Sequence, residues 1–365
     1  MTNSSKLSRR QVMKLAAGTA VTAVAAPMIA KHALAAQEIT IFTWETYHED
    51  PWIAEWTQKT GVPVKVVRTG SVDEMFAQTQ SGAIQPDILY FDSGSFKRYK
   101  DANLIVPFEA SKVANIGEVS AGLKWQERNA IDGKVYGVPY NWGTQPLMYD
   151  ESAMEKPDSW AALWDPKNAG KVNMFDDCYI TFPMIALYVG AKDPYNLTDE
   201  EFEKCREALK ALRPQVRTIA RGFNDAEQSY AAGEATIGYC QNISIVFNLQ
   251  GKGKKFNYSL PKEGTPTWID NAALTAKGAR DEVYQFISDN LSPEWQARFI
   301  NFSLNNGVLT SAEAKKAGIA EDVLKKTNIL DQDDPNFWPR MSVFQAPENI
   351  DKRLEIWNDF KAGTL

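Results

Sequence analysis

Residues 38–70 read EITIFTWETYHEDPWIAEWTQKTGVPVKVVRTG, and this stretch decides the fold class. The short apolar run Ile39–Thr43 is typical of a buried strand. Pro51–Thr60 has tryptophans four residues apart and is followed by Gly61, which is typical of a helix with a glycine stop. Val62–Arg68 is again rich in β-branched residues. A strand, a helix and a second strand joined this closely predict a parallel or mixed α/β sheet.

The same alternation continues along the chain. A capping box at Ser71–Glu74 predicts the start of a helix, and Asp87–Phe91 follows as a buried-type strand. The pattern restarts with a strand at Lys171–Phe175 and a second capping box at Thr198–Glu201. Residues 141–144, NWGT, are interpreted as a turn between two strands. Two α/β units without a flexible linker predict two lobes, with the cleft between them as the default binding site.

Residues 1–35 are typical of an export signal. A basic segment with the pair Arg9 and Arg10 precedes an apolar stretch of small residues, and residues 33–35, ALA, suit a signal peptidase. A membrane anchor is the alternative, but the apolar stretch is short for a membrane span. We therefore expect a twin-arginine signal peptide, export to the periplasm and a mature chain that starts near Ala36.

Composition excludes several classes of protein. The net charge is −6 at pH 7, and the leader contains five lysines and arginines and no acid, so the mature chain carries −11. A surface this acidic argues against nucleic-acid binding. Neither metal-ligand spacing nor a nucleophile elbow is present, so we expect no metal, no cofactor and no serine triad. The cysteines of the mature chain are Cys178, Cys205 and Cys240. We expect them to be buried free thiols, and a disulfide between two of them is the alternative.

Aromatic and acidic side chains follow the predicted strands of the first unit. Trp44, Glu45 and Tyr47 come directly after the first strand, and Asp92 follows a later one. Because ligands gather at the carboxyl ends of strands in open α/β sheets, an indole, a phenol and carboxylates there suit an organic cation. A core tryptophan and a helix cap at Asp92 are the plain structural alternatives.

The second unit offers matching chemistry. Asp176 and Asp177 follow its first strand, either as a helix cap or as a charge facing the cleft. Trp268 and Asp270 are two residues apart and share one side of an extended segment, which suits recognition of an amine. The enzyme alternative is an exported hydrolase that uses Asp177 and Asp270 as its acid–base pair.

Most of residues 38–365 resemble the periplasmic polyamine-binding proteins of ABC importers, that is, extracellular solute-binding proteins of the spermidine/putrescine-binding type. Order and spacing together carry the resemblance. The segments are TWETY at 43–47, VPYNWG at 138–143, SWAALW at 159–164, FDD at 175–177, GEATIG at 233–238, PKEG at 261–264 and WID at 268–270.

The resemblance implies a two-lobed periplasmic-binding-protein fold with a ligand cleft between the lobes. Lobe 1 would comprise 36–144 and about 271–313, and lobe 2 would comprise 145–270 and about 314–365. The implied function is that of a monomeric, non-enzymatic protein that captures a polyamine or similar small cation and delivers it to ABC permease subunits. The implied ligand-binding residues are Trp44, Glu45, Tyr47, Asp92, Asp177, Gln241, Trp268 and Asp270.

Three positions depart from the family pattern. Ile180 replaces a second family acid, Gln241 a family tryptophan and Val308 a family tyrosine. Asp92, where the family often has serine, and Glu45 would restore negative charge. The expected ligand is a polyamine, a shorter diamine or another organic cation, and an amino-acid-like or opine-like solute is the alternative.

Overall fold

The computed structural model describes residues 36–365, and the expected signal peptide lies outside this part of the chain. The strands are β1 (Ile39–Trp44), β2 (Val64–Thr69), β3 (Ile88–Asp92), β4 (Ala130–Ile131), β5 (Lys134–Val135), β6 (Gly137–Thr144), β7 (Leu147–Asp150), β8 (Val172–Phe175), β9 (Val216–Ala220), β10 (Ile237–Tyr239), β11 (Phe256–Ser259), β12 (Thr265–Leu274) and β13 (Met341–Val343). The helices are α1 (Asp50–Thr60), α2 (Val72–Gln80), α3 (Phe96–Asp101), α4 (Trp125–Arg128), α5 (Cys178–Tyr188), α6 (Asp199–Leu212), α7 (Phe223–Ala231), α8 (Ser244–Gly251), α9 (Asp281–Asn290), α10 (Pro293–Ser303), α11 (Ser311–Lys316), α12 (Glu321–Lys326) and α13 (Ile350–Ala362).

Most of these strands join one of two sheets. Sheet 1 has the order β13-β12-β3-β1-β2, with β6 also paired to β12, and sheet 2 has the order β11-β7-β10-β8-β9. β1 is parallel to both β2 and β3, as the opening of the sequence predicts. Helices connect the parallel strands within each sheet, so the predicted α/β class is confirmed.

The chain passes between the sheets more than once. It leaves sheet 1 at Gln145-Pro146, between β6 and β7, and returns at residues 260–264, between β11 and β12. After β13 it crosses again, because α13 packs into the apolar core of sheet 2 through Ile356, Trp357 and Phe360. These crossings join two α/β halves, as the sequence predicts.

The lobe limits expected from the sequence differ from the sheets at two places. They put residues 265–270 and 341–343 in lobe 2, whereas β12 pairs along its length within sheet 1 and β13 pairs with β12. The reason is that β12 is buried without interruption from Thr265 to Leu274, so nothing breaks the strand at residue 270. The assignment of the remaining residues to lobes stays a prediction.

The turn predicted at residues 141–144 is wrong. These residues form the second half of β6, are all buried and pair with β12. Asn and Gly favour turns locally, but here the pairing with β12 prevails. Gly143 is required, since a Cβ atom at this position would lie 2.4 Å from the ring of Trp268.

Local signals end and start helices as expected. Gly61 ends α1 with φ at 75°, in the left-handed region that favours glycine. At α6, Thr198 Oγ1 accepts a hydrogen bond from Glu201 N at 3.2 Å, and the Glu201 carboxylate accepts one from Thr198 N at 2.8 Å.

The three cysteines are buried free thiols. No helix in residues 36–365 combines the length and apolarity needed to cross a bilayer.

Candidate functional site

Asp270 lies within β12, between two neighbouring strands of sheet 1. In the strand register it pairs with Asp92 at the end of β3 and with Asn141 of β6. The pairing with β6 shifts directly after Asp270, and such a β-bulge frequently reorients a side chain beside a site. The residue is 7% exposed, so its carboxyl group is almost enclosed.

Tyr47 holds the carboxyl group of Asp270 in place. The Tyr47 hydroxyl donates a hydrogen bond to Asp270 Oδ2 and accepts one from Asn141 Nδ2 at 3.0 Å. Its backbone carbonyl accepts a hydrogen bond from the Tyr140 hydroxyl at 2.9 Å, and its ring packs edge-on against Phe299. Tyr47 is therefore a buried and well-fixed partner of Asp270.

The loop between β1 and Tyr47 has an unusual backbone. Thr46 has φ at 69°, in the left-handed region that β-branched residues rarely adopt. Such conformations cost free energy and are concentrated at functional sites. Tyr47 is buried after this turn of the backbone, whereas Glu45, two residues earlier, is exposed.

Asp92 caps the short helical turn Ser93–Ser95, as the structural alternative predicts. Its carboxylate accepts hydrogen bonds from Gly94 N at 2.8 Å and from Ser95 Oγ at 2.9 Å. Burial nevertheless raises the pKa of Asp92 above its ordinary value, against these hydrogen bonds. The Asp92 charge in turn contributes to the raised pKa of Asp270, which burial brings to about 7.

Two indole rings accompany these carboxyl groups. Trp44 ends β1, and its indole lies near enough to Asp270 to lower the pKa of that carboxyl, against the effect of burial. Trp268 lies on the same face of β12 as Asp270, and its ring covers the backbone at Gly143. The sequence-based expectation that Trp268 and Asp270 share an extended segment is confirmed.

Sheet 2 contributes a pair of aspartates at the end of β8, and the two differ. Asp176 forms an ion pair with Lys361 at 2.8 Å and accepts a hydrogen bond from Trp357 Nε1. Asp177 caps α5, accepting from Tyr179 N at 2.9 Å and Ile180 N at 3.2 Å. The cap is the plain structural role, and it leaves Asp177 without a cationic partner in the described part of the chain.

The charge of Asp92 acts on Asp177 across the two halves. Burial raises the pKa of Asp177 to about 6, its two backbone hydrogen bonds oppose this rise, and the charges of Asp73 and Asp92 raise it further. Because Asp73 and Asp92 belong to the half built on sheet 1, the two halves bring their acids towards one another. The site thus has acids from both halves.

No lysine or arginine of residues 36–365 forms an ion pair with Asp92, Asp177 or Asp270. Elsewhere the protein does neutralise a buried acid, since the fully buried Asp87 pairs with both Lys277 and Arg280. A desolvated charge is costly unless an opposite charge meets it. The three acids, which we call the acid cluster, therefore have no cationic partner beside them when they ionise.

Gln241 lies on the sheet 2 side, two residues after β10. The side chain is 2% exposed, and neither Oε1 nor Nε2 has a hydrogen-bond partner within the described residues. Its backbone carbonyl accepts a hydrogen bond from Gln145 Nε2 at 3.2 Å, which links it to the crossing between the sheets.

Sequence reasoning missed two side chains that support this region. Asn141 was assigned to a turn but bonds Tyr47 and Gly307 N. Gln145 bonds the hydroxyl of Tyr239 and the backbone of Gln241. The only local sign of the crossing between the sheets is Pro146, which follows Gln145. No local sequence pattern reveals the partners of Asn141 and Gln145, which lie far away in the chain.

Within residues 36–365, no group of three His, Cys, Asp or Glu side chains is arranged to hold a metal ion.

Comparison with known proteins gives concordant results. Residues 51–327 match the family model of bacterial extracellular solute-binding proteins. The chain is 26% identical over 290 residues to the spermidine/putrescine-binding periplasmic protein 1 of Haemophilus influenzae, covering 78% of each chain. It is 27% identical over 277 residues to the spermidine/putrescine-binding periplasmic protein of Escherichia coli, covering 73% of this chain and 75% of the relative.

Among solved structures, a spermidine/putrescine ABC transporter substrate-binding protein from Streptococcus pneumoniae superposes with a TM-score of 0.79 at 20% identity. The match covers 90% of this chain and 100% of the other. This likeness confirms the two-lobed periplasmic-binding-protein fold that the sequence predicts. Since the family model matches well over half of its length, the chain belongs to the bacterial extracellular solute-binding proteins.

Proposed function

We propose that this protein binds a polyamine or similar small organic cation between its two halves in the periplasm. As a monomer it then delivers this ligand to the permease subunits of an ABC importer. The observation that carries the proposal is the acid cluster, in which Asp92, Asp177 and Asp270 lack any cationic partner among the described residues. An ammonium group supplies the missing charge.

Apart from Gln241, each expected site residue has a role that its position allows. Asp270 and Asp92 receive an ammonium group on the sheet 1 side, and Asp177 receives it from the sheet 2 side. The indoles of Trp44 and Trp268 cover the carbon chain and the cation, a contact worth about 0.5–2 kcal/mol when desolvated. Tyr47 acts through Asp270, whose carboxylate it orients. Glu45, being exposed, contributes long-range attraction only.

The relatives support this class of ligand by their names, since both sequence relatives described above bind spermidine and putrescine. The opine-like or amino-acid-like alternative is less favourable in this site. Such a solute brings its own carboxylate next to the acid cluster, and no lysine or arginine of the described residues pairs with the cluster to receive it. Like charges at short distance oppose binding.

Closure of the two halves on the ligand is the proposed mechanism. A ligand that contacts Asp270 on one half and Asp177 on the other binds the closed form better than the open form. The equilibrium then shifts towards closure by the difference in affinity. The permease recognises surfaces of both halves that only closure brings together.

Calorimetric titration of the wild-type protein and Asp270→Asn with putrescine and spermidine tests the proposal. The wild-type protein should bind at least one of them with a Kd near or below the micromolar range, which corresponds to about −8 kcal/mol. Asp270→Asn should weaken binding by well over about tenfold, because hydrogen bonds to charged groups contribute about 1.5–3 kcal/mol.

The matched control is Asp158→Asn, which removes an exposed acid that lies outside the acid cluster. This variant should bind like the wild-type protein. Equal losses in both variants would point to net charge instead of the site. Absence of saturable binding to every amine offered to the wild-type protein would refute the proposed ligand class.

A further inference from the structure

Gln241 lies at the edge of sheet 2 where Asp177 follows the end of β8. β10 is parallel to β8, with Ile237 paired to Val172 and Gly238 to Asn173. Continuing this register places Gln241 level with Asp176, next to Asp177. Carboxyl ends of parallel strands meet at one sheet edge, and ligands of open α/β folds bind there.

Neighbouring contacts link this residue to the site. The Tyr239 hydroxyl donates a hydrogen bond to the carbonyl of Ile180 at 2.9 Å, in the first turn of α5. The charge of Asp177 also acts on Tyr239, so the two are close. Gln145 bonds both Tyr239 and the Gln241 backbone. The segment around Gln241 is thus held against the acid cluster and the crossing.

The side-chain amide of Gln241 is buried and unsatisfied in hydrogen bonding within the described residues. It is 2% exposed, and both its oxygen and its nitrogen lack partners within residues 36–365. Buried polar groups in proteins are nearly always hydrogen-bonded, and an unpaired one is costly. A carboxamide needs a donor for Oε1 and an acceptor for Nε2, and because no described residue supplies either, the ligand is the group that is left to supply both.

The chemistry of the partner follows from this demand. An ammonium group only donates, so it leaves Nε2 unpaired, and a carboxylate only accepts, so it leaves Oε1 unpaired. A carboxylate on the ligand also adds a negative charge beside Asp177 and Asp92. An uncharged primary carboxamide or hydroxyl group both donates and accepts. The other end of the ligand still needs an ammonium group for the acid cluster.

We propose that the ligand is a small amine whose far end is an uncharged group that both donates and accepts hydrogen bonds, a primary carboxamide or a hydroxyl, and that Gln241 selects this end over a second ammonium. The proposal rests on the proposed organic-cation function and narrows it. Ile180 agrees with it, because this first turn of α5 presents an apolar side chain and no second acid for a second ammonium.

A series of ligands with one chain length tests the proposal by calorimetry. The probes are 1,5-diaminopentane, 5-aminopentanamide, 5-aminopentan-1-ol and 5-aminopentanoate. The wild-type protein should bind the amide or the alcohol at least about tenfold more tightly than the diamine, and the zwitterion most weakly. Whichever of the amide and the alcohol binds more tightly identifies the group.

Two variants assign the selection to Gln241. Gln241→Met keeps the length and removes both hydrogen-bonding atoms, so the preference over the diamine should disappear. Gln241→Glu offers acceptors only and adds a negative charge, so the diamine should become the tightest ligand. Melting temperatures establish that each variant is folded, and the wild-type series decides by itself if one is not.

Two outcomes overturn the proposal, and they are distinguishable. If the wild-type protein binds the diamine as tightly as the amide and the alcohol, selection by Gln241 is refuted while the organic-cation function stands. If none of these amines binds, and neither putrescine nor spermidine does, the proposed function fails and this inference fails with it.

Discussion

At the scale of single residues, the contrast between two groups of acids explains the site best. Asp87 is fully buried and has two cationic partners, whereas Asp270 is almost as buried and has a tyrosine hydroxyl as its partner. A hydroxyl orients a carboxylate but does not neutralise it. We therefore propose that the charge of the ionised Asp270 carboxylate serves binding and not folding.

This charge makes binding depend on pH. In the unliganded protein burial raises the pKa of Asp270 from 3.8 to about 7, so the folded state holds a proton there that the unfolded state has lost. The stability of the unliganded protein therefore falls as pH rises from about 4 to 7. A cationic ligand favours the ionised form, so binding releases a proton and tightens as pH rises.

Affinity for the diamine should increase by roughly 30-fold between pH 5.5 and 8, because a carboxyl group with a pKa of about 7 is almost fully protonated at pH 5.5 and mostly ionised at pH 8. Calorimetry in two buffers with different ionisation enthalpies measures the released proton directly. In Asp270→Asn the proton release should shrink. An affinity and a heat that are both independent of pH and of buffer would contradict the prediction.

Some of the residues of the candidate site could be predicted from the sequence, and others could not. Trp268 and Asp270 are close in the chain, so a strand period of two places them on one face without any tertiary knowledge. Asn141 and Gln145 are ordinary polar residues whose partners lie far away in the chain. Their roles arise only after folding. Glu45 was expected in the site, but its side chain is exposed.

At the scale of elements, periodicity found the amphipathic helices and missed the most buried one. α5 (Cys178–Tyr188) is apolar on nearly all of its faces, so no 3.6-residue pattern marks it, and Pro183 lies inside it. The predicted capping box is complete before α6, whereas before α2 only the Ser71 side chain caps the helix, because the Glu74 carboxylate bonds Thr69 and Gln78 instead. β6 was misread at residues 141–144 because its turn-forming residues are stabilised by pairing with β12.

The close approach of β6 to Trp268 leads to a prediction for Gly143→Ala. The new Cβ atom would meet the Trp268 ring at 2.4 Å, so the ring or the strand must move. We expect a loss of about 1–3 kcal/mol in the free energy of unfolding, together with weaker amine binding, because the indole is displaced. Urea unfolding and calorimetry measure the two effects.

The control for this change is Gly251→Ala, at the end of α8, where an added Cβ atom has no neighbour within 4 Å. It should leave both stability and binding close to the wild-type values. Wild-type amine affinity in a folded Gly143→Ala protein would show that the Trp268 ring does not contact the ligand.

At the scale of the whole molecule, the family assignment and the fold agree with the reading of the sequence. Membership of a solute-binding family makes this a transport protein and not an enzyme, so the alternative of a hydrolase using Asp177 and Asp270 is wrong. Two α/β halves were predicted, but the sheet boundaries were not. Crossings of a few residues, such as Gln145-Pro146, have no compositional signature of a linker.

His48 should govern the acid stability of the whole molecule. Its fully buried ring lies among Tyr90, Tyr140, Phe286 and Trp295, and burial lowers its pKa from 6.5 to about 3. The unfolded state therefore binds a proton that the folded state excludes, and stability falls as pH decreases below 6.5. The fall due to His48 amounts to about 1.4 kcal/mol per pH unit.

Urea unfolding of the wild-type protein and His48→Phe at pH 7 and pH 4.5 measures this effect. The phenyl ring fills the aromatic surroundings without titrating, so the variant should lose about 2–3 kcal/mol less than the wild-type protein between the two pH values. Comparing the two proteins cancels the contributions of other titrating groups. Identical losses in both would remove His48 as the cause.

The unpaired acids have a practical consequence for isolating the protein. A protein that binds a cation at the acid cluster, as proposed, is more stable with its ligand than without it, so we expect preparations from cells to contain bound ligand. Titrating such material would understate its true affinity. Before measurement, the bound ligand should be removed by denaturing the protein, dialysing it and refolding it. Mass spectrometry of the dialysate would then identify that ligand.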